Sequence, residues 1–307
     1  LLIYRAQPAW YVNVTKLKPK MLETAKRINW HPPHLKEGRF GKGLETAPDW
    51  NFSRTRYWGA PMPVWECELC AERAVISSIA ELKQRATPES FPATLDLHRP
   101  GIDKVKLACA CGGVMRRVPE VFDCWFESGS MPFAALHYPF EHKERLDKGF
   151  PADFIGEAQD QTRGWFYVLH VLSTALMGKP AFKDVIVTGL ILAEDGKKMS
   201  KSLKNYVDPW EVLTTYGADA LRVYLLQSPV IESDSMNFST RELDEVSRKL
   251  LATLWNVAAF YQTYAGSETV ELAKPRSAHV LDRWLYARLH ALIREVTQAY
   301  DRYELTR

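Results

Sequence analysis

The stretch Asp184-Val185-Ile186-Val187-Thr188-Gly189-Leu190-Ile191-Leu192 is nearly all apolar or β-branched. It reads as a strand covered on both faces, as strands of parallel sheets are. Upstream, Asp153-Phe154-Ile155 reads as a short strand ending at Gly156. Gln161 to Met177 reads as a helix with Trp165, Val168, Leu169, Leu172 and Leu176 on one side, stopped by Gly178 and Pro180. Strand, helix and buried strand in that order predict a parallel sheet with crossover helices. Beyond the buried strand an Asp195-Gly196 turn leads into Gly196-Lys197-Lys198-Met199-Ser200-Lys201-Ser202-Leu203-Lys204. Loops past the carboxyl ends of parallel strands are where ligands bind. Lysine amines placed there would neutralise a triphosphate, and the hydroxyls would add hydrogen bonds. Charge alone does not separate such a loop from ordinary solvated surface.

Further on, Asp208 reads as a helix cap, with Pro209 in the first turn, Glu211 three residues after the cap and Gly217 at the end. After about residue 233 no strand signal remains. Ser239-Thr240-Arg241-Glu242 reads as a capping box opening a long amphipathic helix through Leu243, Val246, Leu250, Leu254, Val257 and Tyr261. A Pro/Ser linker, Lys274 to Ser277, leads to a second helix through Leu281, Trp284, Leu285, Leu289, Leu292 and Val296. Both stripes read as core-packing faces. Near the start, a short strand around Trp10–Val14 precedes a helix with Leu17, Met21, Leu22, Ala25 and Ile28 on one side. The organisation is an α/β domain followed by a helical one, without internal repeats.

With 307 residues the chain is long enough for about two domains. Hydrophobic residues at 46% and charged residues at 25% are those of a globular protein and exclude disorder. No apolar run of about 18 residues exists, which excludes a membrane helix. Forty Lys+Arg against 37 Asp+Glu excludes a nucleic-acid coat, so any polyanion must be met by a local cluster. The chain opens Leu1-Leu2-Ile3 without Met or a signal-peptide layout and stops at Arg307 in helical sequence, so it reads as an internal fragment.

Residues 61–120 are rich in Pro, Gly and Cys, with a short helical patch near Ser78 to Arg85. Four cysteines form two short chelating turns, Cys67-x-x-Cys70 and Cys109-x-Cys111, the second running into Gly112-Gly113. Two such turns suit a tetrahedral thiolate site for structural zinc, with no position left open for catalysis. Disulfides are the competing reading, but nothing else suggests secretion and a Cys-x-Cys turn closes poorly on itself. Cys124, alone between Asp123 and Trp125, reads as a packing residue.

Lys198-Met199-Ser200-Lys201-Ser202 is, letter for letter, the KMSKS signature of class I aminoacyl-tRNA synthetases. Three further segments resemble the isoleucyl-tRNA synthetase family: Ser53-Arg54-Thr55-Arg56-Tyr57-Trp58-Gly59, Asp123-Cys124-Trp125-Phe126-Glu127-Ser128-Gly129-Ser130, and Asp160-Gln161-Thr162-Arg163-Gly164-Trp165-Phe166. The resemblance covers almost the whole chain. It implies the exit of the editing insertion at 1–45 and the second half of a Rossmann-like catalytic domain at 46–232, with a zinc-ribbon-like insertion at about 61–120. It further implies the start of an all-α anticodon-binding domain at 233–307. No HIGH-type motif and no threonine-rich editing motif is present, so the fragment alone is expected to be inactive. Valyl- and leucyl-tRNA synthetases share the lysine loop, but the Trp125 and Asp160–Phe166 segments favour isoleucine. A non-catalytic zinc-ribbon RNA-binding module and a transferase of related architecture are the other readings; the first leaves Lys198–Ser202 unexplained, and the second has no need of the helical tail.

The resemblance also implies roles. Lys198 and Lys201 would hold the triphosphate of ATP with its Mg2+, Ser200 and Ser202 would shape the loop, and Gly189 would lie against ATP. Glu157 would touch the aminoacyl-adenylate, Asp160 and Gln161 would orient the amino end and the ribose, and Trp125 and Trp165 would line the isoleucine pocket. The paired cysteines resemble a zinc site of some members. The expected partners are ATP, L-isoleucine and tRNA(Ile), with no membrane, for a cytoplasmic, monomeric full-length enzyme.

Overall fold

A computed structural model gives the fold and describes residues 3, 6–200, 202–265 and 277–306. The strands that organise it are β1 (Asn29–His31), β2 (Val64–Cys67), β3 (Arg73–Val75), β4 (Leu107–Ala108), β5 (Val114–Arg117), β6 (Ala152–Ala158), β7 (Phe182–Thr188), β8 (Ile191–Leu192) and β9 (Met236–Asn237). The main helices are α1 (Val14–Ala25), α2 (Cys124–Gly129), α3 (Trp165–Met177), α4 (Pro209–Tyr216), α5 (Ala218–Leu226), α6 (Thr240–Val246), α7 (Ala252–Tyr264) and α8 (Val280–Asp301). The chain forms two compact units, one of Leu1–Ile28, Lys36–Asp153 and Asp160–Lys183, the other of Asn29–Leu35, Phe154–Gln159 and Asp184–Arg307.

In the first unit α3 is the central helix, with α1 and α2 packed on it. Asn13 starts α1 by accepting a hydrogen bond from the Lys16 amide at 2.9 Å. Gly129 lets α2 lie close to α3, because a Cβ there would stand 3.0 Å from Leu172 Cδ1. A second core forms under the antiparallel sheet β3-β2-β5-β4. It is built on Trp65, Val105 and Leu107, each at most 1% exposed, worth about 1.5–3 kcal/mol per large side chain. The Trp65 indole keeps its donor satisfied on the Val105 carbonyl at 2.8 Å.

The second unit is built on the sheet β6-β7-β1, in which β7 runs parallel to β1 with Val185 opposite Trp30. Its helices pack around Val212, Ala220, Tyr224 and Leu243. Asp208 caps α4 by accepting from the Trp210 amide at 2.9 Å, Pro209 fills the first helical position, and Gly217 ends the helix at φ +82°. Ser239 caps α6 through the Glu242 amide at 3.3 Å.

Several expectations need correction. β6 continues through Gly156 to Ala158. The long apolar stretch is two strands, since the chain breaks pairing at Gly189-Leu190, and β7 alternates buried Phe182, Val185 and Val187 with more open residues instead of being covered on both faces. Strand structure persists beyond 233, because Met236-Asn237 pairs in parallel with Ile191-Leu192, a two-residue ladder too short to carry a periodic signal. Leu176 is exposed, lying past the ring of α3 that α1 and α2 cover. The capping-box helix is interrupted by a π-helical turn at Ser247–Leu251, and along it Leu254, Val257 and Tyr261 stand in solvent, as do Leu281, Trp284 and Leu285 on α8. Amphipathic spacing marks a face, and no described element covers these two. Cys124 is exposed, not packed. Most of the expected linker, 274–276, lies outside the described residues.

His170, in the middle of α3, is fully buried. Its Nε2 lies 2.9 Å from the Met21 carbonyl on α1, which makes that nitrogen the donor, while the buried Nδ1 has no hydrogen-bond partner. Protonation would add a buried charge and an N–H with no acceptor, and burial pushes the imidazole down to about 4. The folded pKa lies below the unfolded one, so the unfolded chain binds the proton first. Stability is therefore full above about pH 6.5 and is lost as pH falls toward 4, by up to about 3 kcal/mol. Urea midpoints at pH 7.5, 5.5 and 4.5 are expected to fall in this order, and a His170→Gln chain to show a flatter profile over the same range.

Candidate functional site

Three clusters hold the residues singled out by sequence. The first is the four-cysteine cluster of the first unit. Cys67 ends β2, its carbonyl accepting from the Ala71 amide at 3.1 Å while Ala71 takes φ +57° to close the turn. The second turn closes through Cys109, whose amide donates to Gly113 and whose carbonyl accepts from Gly112, at φ +84°. Gly113 has to be glycine, because a Cβ would stand 2.9 Å from the Cys67 sulfur. All four sulfurs lie within 4.8 Å of one another. The nearest pairs are crosswise, Cys67–Cys111 at 3.5 Å and Cys70–Cys109 at 3.7 Å. A sulfur tetrahedron around zinc has edges of about 3.8 Å, whereas a disulfide needs about 2.05 Å. The Cys70 and Leu69 amides directed at the Cys67 sulfur hold its thiol at about 7, favouring the thiolate that binds metal.

The second cluster, also in the first unit, gathers Trp125, Asp160, Gln161 and Trp165. Pairing of Ser53-Arg54 with Val121-Phe122 carries Arg54 to Asp123, where Nη2 meets Oδ2 at 2.8 Å. Asp123 is 3% exposed. It also accepts from Trp50 Nε1 at 3.3 Å and caps α2 through the Trp125 amide at 3.3 Å. The Trp165 indole donates to the Ser128 carbonyl at 3.1 Å, fastening its ring to the helix that bears Trp125. Gln161 is committed on both sides, accepting from the Trp165 amide at 2.8 Å and donating to Asp160 at 3.2 Å. A Cβ at Gly164 would approach Gln161 Oε1 to 2.7 Å and the Trp125 ring to 3.2 Å, so the glycine makes this convergence possible. Trp125 keeps 40% of its surface open.

The third cluster is in the second unit. Lys197–Ser200 follows a hairpin in which Ala193 donates to the Lys197 carbonyl at 2.9 Å and Leu192 bridges Lys198. Lys197 is paired with Asp195 at 3.0 Å, while among the described residues no carboxylate reaches Lys198. Ser200 Oγ accepts from the Leu203 amide at 3.1 Å and pairs with Ser202 Oγ at 2.9 Å. Lys201 lies outside the described residues. Glu157 is exposed near the end of β6. Gly189 is committed to the chain itself. Its amide donates to Val230 at 2.7 Å, and a Cβ would fall 1.9 Å from the Asp234 carbonyl oxygen.

Two residues outside the sequence-derived set hold these arrangements. Asp123 was visible in principle as an acidic residue heading an apolar helix. Asn205, whose amide Nδ2 donates to the Lys198 carbonyl, carries no periodic or spacing signal.

The sequence profile of the family "tRNA synthetases class I (I, L, M and V)" matches residues 2–238. The fold agrees with solved structures of the class. An Agrobacterium radiobacter K84 LeuRS, in ternary complex with tRNA and LeuAMS, superposes at a TM-score of 0.62 over 85% of this chain and 35% of that one, with 24% identity. Mycobacterium tuberculosis methionyl-tRNA synthetase, in complex with methionyl-adenylate, superposes at 0.66 over 98% and 49%, with 17% identity. The chain belongs to the class I tRNA synthetases of the I, L, M and V group.

Within that group it is similar to isoleucine–tRNA ligases. Identity is 49% to those of Treponema denticola and Thermus thermophilus over 99% of the chain, and 50% to that of Protochlamydia amoebophila over its full length. The chain spans 29% of the length of each of these relatives.

Replacing Gly189 by alanine tests whether its role is packing. The added methyl has to displace backbone at Asp234, so Gly189→Ala is expected to cost about 2–4 kcal/mol, read as a lowered melting temperature. An unchanged melting curve would show that the site has room.

Proposed function

We propose that this chain is the part of an isoleucine–tRNA ligase that binds ATP and isoleucine, the whole polypeptide joining isoleucine to tRNA(Ile) by way of isoleucyl-adenylate. The observation that carries the reading is the Lys198–Ser202 loop at the end of a hairpin beyond β7, in a chain about half identical to isoleucine–tRNA ligases along its whole length.

In the first step a carboxylate oxygen of isoleucine attacks the α-phosphorus of ATP. The bond from that phosphorus to the bridging oxygen breaks, and pyrophosphate leaves with the electron pair. Charge accumulates on the departing phosphates, so the chain contributes positioning and electrostatic stabilisation. Lys198, which no carboxylate among the described residues reaches while Asp195 occupies Lys197, is one cation for them, and Lys201 is the other. Mg2+ bound with ATP would neutralise further phosphate charge; ATP would bring it, and no protein cage for it is required. Glu157 is assigned to the adenylate and Asp160 to the amino group, Asp160 being held by Gln161. Trp125 and Trp165, the latter fastened by its indole to the helix that bears Trp125, would wall the side-chain pocket. Gly189 is retained as an ATP neighbour only through its backbone, since its Cα face is filled.

Residues 61–120 are read as a zinc-ribbon-like insertion of a catalytic half spanning 46–232, preceded by the exit of an editing insertion at 1–45. The helices of 233–307 would begin an anticodon-binding domain. Zinc held by Cys67, Cys70, Cys109 and Cys111 would be structural, joining the two turns at their tips. Among the described residues no helix is long and apolar enough to cross a membrane, and a cytoplasmic monomer is the expected setting.

A chimera in which this chain replaces the matching segment of the Thermus thermophilus ligase is the direct test. It is expected to catalyse isoleucine-dependent exchange of pyrophosphate into ATP. Lys201→Ala should slow that exchange about 10²–10³-fold with a smaller change in isoleucine affinity, the pattern of an interaction made in the transition state. Exchange at the unsubstituted rate would remove Lys201 from the mechanism.

For the metal, one zinc per chain is expected by elemental analysis after purification in zinc-containing buffer. Cys67→Ser should lose most of it and speed hydrogen exchange across residues 61–120, leaving α4–α8 unchanged. A chain without zinc, or a Cys67→Ser chain that retains it fully, contradicts the assignment.

A further inference from the structure

The lysine loop leaves the hairpin at Lys198 and returns through a turn in which Lys204 takes φ +50°. Inside that turn the Asn205 amide bridges two backbone groups of the loop. Its Oδ1 accepts from the Ser200 amide at 2.9 Å, and its Nδ2 donates to the Lys198 carbonyl at 3.2 Å. One face of the bridge meets an N–H and the other a C=O, so only one orientation of the amide satisfies both. The pair imitates what the peptide group of a neighbouring strand would offer to residues flanking Met199.

Met199 itself turns inward, packed against the cluster of Val212, Tyr224 and Leu243. Lys198 points to solvent. The hydroxyls of Ser200 and Ser202 are spent on each other and on Leu203. Asn205 thus ties the loop's returning limb to the backbone on both sides of Met199.

We propose that Asn205 is a positioning residue for the loop: it fixes the backbone on both sides of Met199 so that the Lys198 ammonium is presented outward in one place to bound polyphosphate. The inference rests on the reading of the loop as a polyphosphate site. An ammonium held by an ordered backbone loses less freedom on binding than one on a wandering loop, so the brace acts on affinity while standing outside the ligand's reach. An aspartate there would keep the acceptor for Ser200 but set a carboxylate against the Lys198 carbonyl. An alanine would remove both bonds.

The test uses the 307-residue chain and magnesium tripolyphosphate as probe. Residue-resolved amide exchange is followed at Ser200, tripolyphosphate affinity is measured by calorimetry, and melting curves are recorded beside them. Two hydrogen bonds of ordinary net strength correspond to about tenfold or somewhat more. Asn205→Ala is therefore expected to speed exchange at Ser200 about tenfold and weaken tripolyphosphate about tenfold, with an unchanged melting temperature. Asn205→Asp should keep most of the protection at Ser200 yet weaken the probe at least as much as alanine. Unchanged exchange and affinity in Asn205→Ala would overturn the proposal, and so would equal losses accompanied by a fallen melting temperature, which would make Asn205 a general stability residue. If the unsubstituted chain fails to bind tripolyphosphate while Asn205→Ala still exposes Ser200, the polyphosphate reading of the loop falls and the role in ligand presentation falls with it.

Discussion

A buried strand that ends in an exposed loop must dispose of its last backbone groups, because an unpaired amide or carbonyl in the interior costs about 1–3 kcal/mol. At the end of β7 this requirement is met by the segment 229–237. Gly189 donates to Val230, Ser233 donates through its hydroxyl to the Val187 carbonyl, and β8 then finds β9 as a parallel neighbour. Gly189 is the hinge of this arrangement, since any side chain would occupy the space of the Asp234 backbone. The lysine loop of the second unit hangs from that junction. The hairpin after β8 starts in register, and the lysine loop starts from the hairpin.

The two units solve the problem of holding reactive groups differently. In the second, the lysine loop is shaped by uncharged groups: two hydroxyls, one amide and one methionine side chain. Among the described residues, Asp195 takes Lys197. Cationic charge is thereby left on Lys198 without a competing carboxylate among the described residues. In the first unit the aromatic cluster is organised around the buried carboxylate of Asp123, which pairs with the partly exposed Arg54 and spends its remaining lone pairs on the Trp50 indole and the cap of α2. Removing Arg54 would strand the buried Asp123 carboxylate without its cation, which makes this pair a constraint on the ring of Trp125 and not merely a surface ion pair.

What sequence conveys here follows range of interaction. Helix caps are local, and Asp208 and Ser239 were readable because the acceptor and the amide it serves lie within three residues. The cysteine turns were readable for the same reason, as two local loops. The crosswise sulfur distances, by contrast, come from the β2–β5 pairing and could not be read from spacing. β9 was invisible because a two-residue strand has no period. The stripes on α7 and α8 were legible as faces, yet periodicity names a face without naming what covers it, and here Trp255, Phe260, Trp284 and Leu285 stand open. Cys124, alone between Asp123 and Trp125, reads as a packing residue, but Phe122 and Phe126 stack on each other at 4.3 Å and the sulfur is exposed.

The residues that sequence missed share a property. Asp123 satisfies groups contributed by more than one segment and Asn205 two backbone groups five and seven residues before it, so neither is defined by its immediate neighbours in the chain. A ligand-binding lysine or an aromatic wall can be recognised by type, because its chemistry faces outward. A bracing residue is recognisable only from the groups it completes, since an asparagine in a loop has no distinguishing mark until a free N–H and a free carbonyl are found at both ends of its amide. For the lysine loop this ordering matters physically. The charges determine what can bind, while the uncharged bridge between Lys198 and Ser200 determines how much freedom the charges surrender when it does.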